Sequence, residues 1–202
     1  MGDEDGRLHS PSVLRNREPL LHVLAGALPE RGLVFEIASG SGEHVVHFAR
    51  HLPHLTFQPS DPNPVALGSI AAWIAQTDLA NVCAPLQFDV LGDSCAVAAA
   101  EAVVCINMIH IAPFAATPAL MRHAASMLAK GAPLCLYGPF RQEGVAFAPG
   151  NEEFDRNLRA QDSAWGVRQL EKVAELARAA GFEAPDVIEM PANNLCVVFR
   201  RS

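Results

Sequence analysis

Leu33-Val34-Phe35-Glu36-Ile37-Ala38-Ser39-Gly40-Ser41-Gly42 is the stretch on which the fold turns. Residues 33–38 are a short, nearly continuous apolar run, the pattern of a strand buried on both faces. Ser39-Gly40-Ser41-Gly42 stops it with a glycine-rich turn. From Gly42 the spacing becomes helical, with Val45, Phe48, Ala49 and Leu52 on one face and Pro53 at the end. Glycines at such a turn let backbone approach a ligand, and the helix start offers free N–H donors.

The same alternation extends outward. Upstream, Glu18-Pro19 opens a helix that carries Leu20, Leu21, Leu24 and Leu28, closed by Pro29 and Gly32; residues 1–10 are expected to be a loose tail. Downstream, strands are expected over 55–60, 86–88, 102–107 and 133–137. Asn63-Pro64 and Thr117-Pro118 open capped helices between them. Strand and helix alternating through short links make a parallel sheet covered on both faces. After Tyr137 the rhythm breaks. Residues 138–164, with Pro139, Gly144, Pro149 and Gly150, read as a lid inserted over a binding site. Helical spacing returns over 167–180, and strands follow over 182–190 and 195–200. Only Pro191-Ala192-Asn193-Asn194 separates these two, too few residues for a parallel crossover, so the last strand runs antiparallel. The expectation is one domain over 1–202, α/β, a three-layer Rossmann-like, seven-stranded and mostly parallel sheet with a reversed last strand.

Half of the 202 residues are hydrophobic and 18% are charged, enough apolar surface for a sizeable core and the opposite of a disordered chain. A formal net charge of −7 argues against nucleic acid as a partner. The five cysteines (83, 95, 105, 135 and 196) are scattered and odd in number, as in a reduced cytoplasmic protein without disulfides. The opening MGDEDGRLHSPS is polar and acidic, and no apolar run reaches the roughly 18 residues of a membrane span, so neither export nor a membrane partner is expected. His44, His47, His51 and His54 recur at helical spacing; the last three fall opposite the packing face and read as a solvated surface, with no metal expected.

The residues around the turn narrow the ligand. A dinucleotide fingerprint requires a third glycine where Val45 stands. Glu36, inside the strand, is badly placed for a pyrophosphate and well placed for an ammonium or sulfonium. Asp61 and Asp89 end the second and third strands, whose carboxyl ends face the same crevice. Asp61 suits two ribose hydroxyls; Asp89 suits an adenine amino group, with Val90 packing on the ring.

This set, Glu36-x-Ala38-x-Gly40-x-Gly42 with Asp61, Asp89 and a reversed seventh strand, resembles the class I S-adenosylmethionine-dependent methyltransferases. Ala38 stands where the first glycine of their loop is usual. Nearly the whole chain resembles the methyltransferase-like protein 26 family. The stretches that carry this are Arg15-Asn16-Arg17, His44-x-x-His-Phe-Ala49, Gln58-Pro-Ser-Asp61, Cys105-Ile-Asn-Met108, Tyr137-Gly-Pro139, Phe154-Asp155, Trp165-Gly166 and Met190-Pro-Ala-Asn-Asn194. The resemblance implies S-adenosylmethionine as cofactor, with backbone at Asn107 and Met108 facing its methionine end. It brings no substrate.

Methyl transfer is an in-line displacement in which the protein mainly positions, desolvates and sometimes deprotonates. His110, after the fourth strand, is the candidate general base, and Tyr137, the only tyrosine, the candidate for orienting an acceptor. Asn193 and Asn194 in the last turn, Asn151, Phe154 and Arg159 in the expected lid, and Asn16 in the N-terminal segment are the candidate substrate contacts. The leading expectation is a methyltransferase acting on a small-molecule substrate. The alternatives are a non-catalytic S-adenosylmethionine-binding sensor or scaffold and, behind it, a nicotinamide-dependent oxidoreductase, which Val45 and Glu36 disfavour. The oligomeric state is left open.

Overall fold

In the computed structural model, which describes residues 5–92, 94, 95 and 97–202, the decisive stretch forms a strand, a turn and a helix as its pattern requires. In chain order the elements are α1 (Pro11–Ala27), β1 (Gly32–Ile37), α2 (Glu43–His51), β2 (Leu55–Asp61), α3 (Pro64–Ala75), β3 (Leu86–Gln87), β4 (Ala102–Ile106), α4 (Ala116–Met127), β5 (Pro133–Arg141), α5 (Pro149–Gln161), β6 (Arg168–Gln169), α6 (Leu170–Ala179), β7 (Asp186–Met190) and β8 (Asn194–Arg200). The sheet order is β3-β2-β1-β4-β5-β8-β7, with the short β6 pairing off this path against β5. β1, β2, β3, β4 and β5 pair in parallel, and β8 runs antiparallel to both β5 and β7.

Side-chain parity along the strands builds two cores. Phe35, Ile37, Val103, Cys105, Leu134, Leu136, Val197 and Phe199 face α4 and α6. Val34, Ala102, Val104, Cys135 and Val198 face the other way, onto Leu20 and Leu24 of α1, Val45 and Phe48 of α2 and Ile70 of α3. Central strands buried on both faces explain why β4 reads as an unbroken apolar run and β1 as one broken only by Glu36. The order reverses between β1 and β4, which opens a crevice at their carboxyl ends.

Five expectations need correction. The first helix starts at Pro11 and carries Pro19 inside it. Val13, Asn16, Leu20 and Leu24 form one buried stripe through the proline, and that packing outweighs a helix penalty of about 3 kcal/mol. Residues 5–10 are docked rather than loose. The Leu8 N–H donates to Ser69 Oγ at 2.8 Å, Trp73 Nε1 donates to the Leu8 carbonyl at 3.0 Å, and the Arg7 guanidinium lies 4.7 Å from the Trp73 ring centre. Residues 1–4 lie outside the described residues. The expected 138–164 lid is the end of β5, a short link and α5. The fourth concerns the solvated face expected of His47, His51 and His54: His51 and His54 are exposed, but only 9% of the His47 side chain is. The helix expected from Val167 begins at Leu170, because Arg168 and Gln169 pair with Phe140 and Arg141 first.

Candidate functional site

The turn after β1 is held by β2. The Ser39 N–H donates to the Ser60 carbonyl at 2.8 Å, and the Gly40 N–H donates to Asp61 Oδ2 at 2.9 Å. Ala38 takes the left-handed conformation at φ 59°, so it follows the path of the glycine it replaces with a Cβ in place. Gly42 is required by close approach as well as by φ 90°: a Cβ there would stand 2.8 Å from Ile70 Cα.

A first cavity of about 480 Å³ opens above this turn. Ala38, Asp61, Asp89, Val90 and Met108 all line it, so five of the nine residues expected to hold the cofactor share one hollow. Asp61 is aimed by its partners, since its second oxygen, Oδ1, accepts from the Asn63 N–H at 2.9 Å. Asp89 Oδ1 accepts from the Leu91 N–H at 2.9 Å. Phe88 and Trp165 line the same cavity and were absent from the candidates. Phe88 reads as a core strand residue, and Trp165 lies about 125 residues along the chain from the turn, so only the fold joins them.

Glu36 corrects the expectation that three acids share one crevice. It does not line the cavity but lies buried, 2% exposed, with Oε2 lacking any hydrogen-bond partner. Burial pushes its pKa up to about 7; a Ser39 hydrogen bond works against this and the Asp61 charge adds to it. An orphaned carboxyl oxygen beside an acid-lined cavity fits a ligand with a cationic group.

A second cavity of about 420 Å³ lies next along the crevice. Arg15, Asn16, Asn107, Tyr137, Asn151, Phe154 and Asn194 line it. Asn107 faces this cavity and its neighbour Met108 the first, so these two residues form the partition. Asn107 holds that corner in the left-handed region at φ 61°, and its N–H donates to the Tyr137 carbonyl at 2.8 Å. Asn16 Oδ1 lies 2.8 Å from His44 Nε2. Burial holds the His44 pKa down to about 3, so the ring is neutral and its Nε2–H donates to the amide oxygen. Burial also raises the Tyr137 pKa, against the opposing effect of the Asn16 amide. Asn151 Nδ2 donates to the Asn193 carbonyl at 2.9 Å and ties α5 to the turn before β8. Asn193 itself lines a smaller adjoining cavity of about 200 Å³ with Asn151 and Asn194.

Two candidates lie elsewhere. His110 is wholly buried and lines neither cavity. Its Nε2 faces Gly138, where a Cβ would stand 2.5 Å away, and its ring meets Phe140 edge-on at 5.0 Å. Burial holds its pKa down to about 3. Enclosed this way, the ring packs against Phe140 and Gly138, opens on neither cavity, and accepts from the Arg168 N–H at 3.4 Å through Nδ1. Arg159 donates from Nε to both Asp155 oxygens at 3.2 Å, within a clamp that includes Arg141 and the Val167 N–H. Burial raises the Asp155 pKa, but these donors outweigh it and hold it below the usual range.

Chains of known structure share this fold. An O-methyltransferase family protein from Burkholderia thailandensis matches with a TM-score of 0.80 and 19% identity, over 95% of this chain and 57% of that one. CalO1, a methyltransferase in calicheamicin biosynthesis solved in its SAH-bound form, gives 0.74 and 17%, over 92% and 54%. An O-methyltransferase family 2 protein from Planctomyces limnophilus in complex with apigenin gives 0.74 and 18%, over 92% and 62%. The chain thus spans between 54% and 62% of the length of these three. The fold is that of the class I Rossmann-like methyltransferases, and with residues 7–201 matched by its model, the chain belongs to the family described as a protein of unknown function, DUF938.

Proposed function

We propose that the chain is an S-adenosylmethionine-dependent methyltransferase acting on a small molecule. The observation that carries this reading is the pair of adjoining cavities divided by Asn107 and Met108: the first is lined by Asp61 and Asp89, and none of the described residues that line the second is an acid. When bound, S-adenosylmethionine supplies a methyl group activated by a sulfonium. Asp61 would hold the ribose hydroxyls and Asp89 the adenine edge, with Phe88 and Val90 against the ring. Glu36, as carboxylate, would neutralise the cationic end from beneath. The resemblance to methyltransferase-like protein 26 supports the same reading, as does the SAH held by CalO1.

In the second cavity Tyr137 and the asparagine amides orient the acceptor beside the partition. The described residues that line it include no carboxylate and no imidazole, the side chains that serve as bases near neutral pH. Positioning and exclusion of water therefore supply the rate enhancement, and the acceptor must ionise readily by itself. Cytoplasmic location and independence of nucleic acid and membranes belong to the same proposal. No helix among the described residues is long and apolar enough to cross a membrane.

Calorimetry of the folded protein with S-adenosylmethionine and its demethylated product, S-adenosylhomocysteine, tests the reading. Binding of both is expected. Neither heat nor a thermal shift at millimolar ligand overturns it.

A further inference from the structure

Resting on that reading, the geometry points to the class of acceptor: we propose that the second cavity takes a small aromatic hydroxy acid, with its carboxylate on Arg15 and its hydroxyl at the partition by Asn107. Arg15 lines the cavity from α1, close enough that its charge lowers the Tyr137 pKa against the effect of burial. It makes no ion pair or hydrogen bond with any described residue, whereas Arg17, Arg141 and Arg159 each face a carboxylate. In a chain with net charge −7, a cavity whose described lining has an unpaired arginine and no acid selects for anions.

The neutral groups refine this choice. His44 holds the Asn16 amide oxygen, which leaves the Asn16 NH2 to donate, and Tyr137 lines the same cavity with a hydroxyl that can donate to the acceptor. One guanidinium among neutral amides matches the single charge of a planar carboxylate better than the double charge of a phosphate. Phe154, Pro139 and the Tyr137 ring give the apolar walls that an aromatic ring needs.

A phenol also suits a cavity whose described lining has no base. Its proton goes to water, the phenolate oxygen forms the new O–CH3 bond, the S–CH3 bond breaks, and the sulfur keeps the electron pair as a neutral thioether. The acidic first cavity and the cationic Arg15 thus set the polarity of the crevice from one end to the other.

The test uses the full chain, saturated with S-adenosylhomocysteine, and ligand-observed NMR titration. The probes are 4-hydroxybenzoate, 3,4-dihydroxybenzoate and 4-hydroxycinnamate, each against its own amide. At least one acid is expected to bind about tenfold tighter than its amide. Arg15→Gln is expected to abolish that preference and Arg15→Lys to keep part of it, both with unchanged affinity for S-adenosylhomocysteine. Arg15 is exposed, so either variant folds. Equal binding of every acid and its amide, a preference that survives Arg15→Gln, or no binding of any acid overturns the inference. The same titration without S-adenosylhomocysteine keeps the two claims apart: acid preference with no cofactor binding sinks the cofactor reading and leaves the anion site standing.

Discussion

Replacing Glu36 by Gln removes a charge from a place where no donor fully receives it. The carboxyl is 2% exposed, Oε2 has no partner, and its pKa rises from the ordinary 4.5 to about 7. That gap corresponds to about 3 kcal/mol. Its sign follows from linkage. Between pH 4.5 and 7 the folded state binds more protons here than the unfolded state does, so the contribution is whole below pH 4.5 and lost as pH rises through 7. His44 and His110 act oppositely. Both fall from 6.5 to about 3, so their contribution is lost as pH falls below 6.5. The wild-type curve mixes these slopes, and the difference between wild type and Glu36→Gln isolates the carboxyl. Urea melts from pH 5 to pH 8 should show the variant gaining on wild type throughout, by at most about 3 kcal/mol, and levelling above pH 7.5. Calorimetry gives a second readout. Binding of S-adenosylhomocysteine, whose ammonium favours the ionised carboxylate, should release about half a proton at pH 7 from wild type and none from the variant. A stability difference that stays constant across this pH range refutes the reasoning, because it would mean Glu36 does not titrate there.

Asp61→Asn should cost about 1–3 kcal/mol, because the amide group cannot accept from both the Gly40 and the Asn63 N–H, and should weaken S-adenosylhomocysteine at least tenfold. Calorimetry showing wild-type affinity in a folded Asp61→Asn variant rules out the ribose assignment. Ala38→Gly should stabilise the chain by about 0.5–1 kcal/mol, since relief of the left-handed Cβ strain exceeds the added freedom of the unfolded state; a lower midpoint in thermal melts contradicts this. His110→Ala should lose about 2–4 kcal/mol to the cavity it leaves, yet keep wild-type cofactor affinity by calorimetry. Loss of binding by folded protein would return His110 to the site.

The fold was legible where one period dominated. β1, β4 and the start of β5 are apolar on both faces, and the four residues between β7 and β8 leave no geometry but a reversal. α5 was not legible. Its buried positions, Asn151, Asp155 and Leu158, keep helical spacing, but two of the three are polar, so the stripe is invisible to a hydrophobic pattern. The same polarity gives α5 its use. Asn151 ties it to the turn before β8, Asp155 gathers two arginines and a backbone N–H, and Phe154 is left facing the second cavity.

At the site, sequence position identified the acids but not their depths. Successive strand residues alternate faces, so Glu36 shares the side of Val34 while Phe35 and Ile37 take the other. It therefore sits under the helices instead of on the rim, whereas Asp61 and Asp89 stand at or beyond the ends of their strands and meet the cavity directly. His110 fails by a related route. It follows β4 closely enough to be expected on the rim, but the short helical turn over Met108–His110 reverses the chain. That reversal leaves Asn107 and Met108 as the partition and carries the imidazole inward, against a glycine that has no side chain to hold it off. A single turn of backbone thus separates a residue that can touch an acceptor from one that cannot. In the proposed reaction it also shifts the demand for ionisation from the protein to the acceptor, the reason for inferring a phenol rather than an alcohol there.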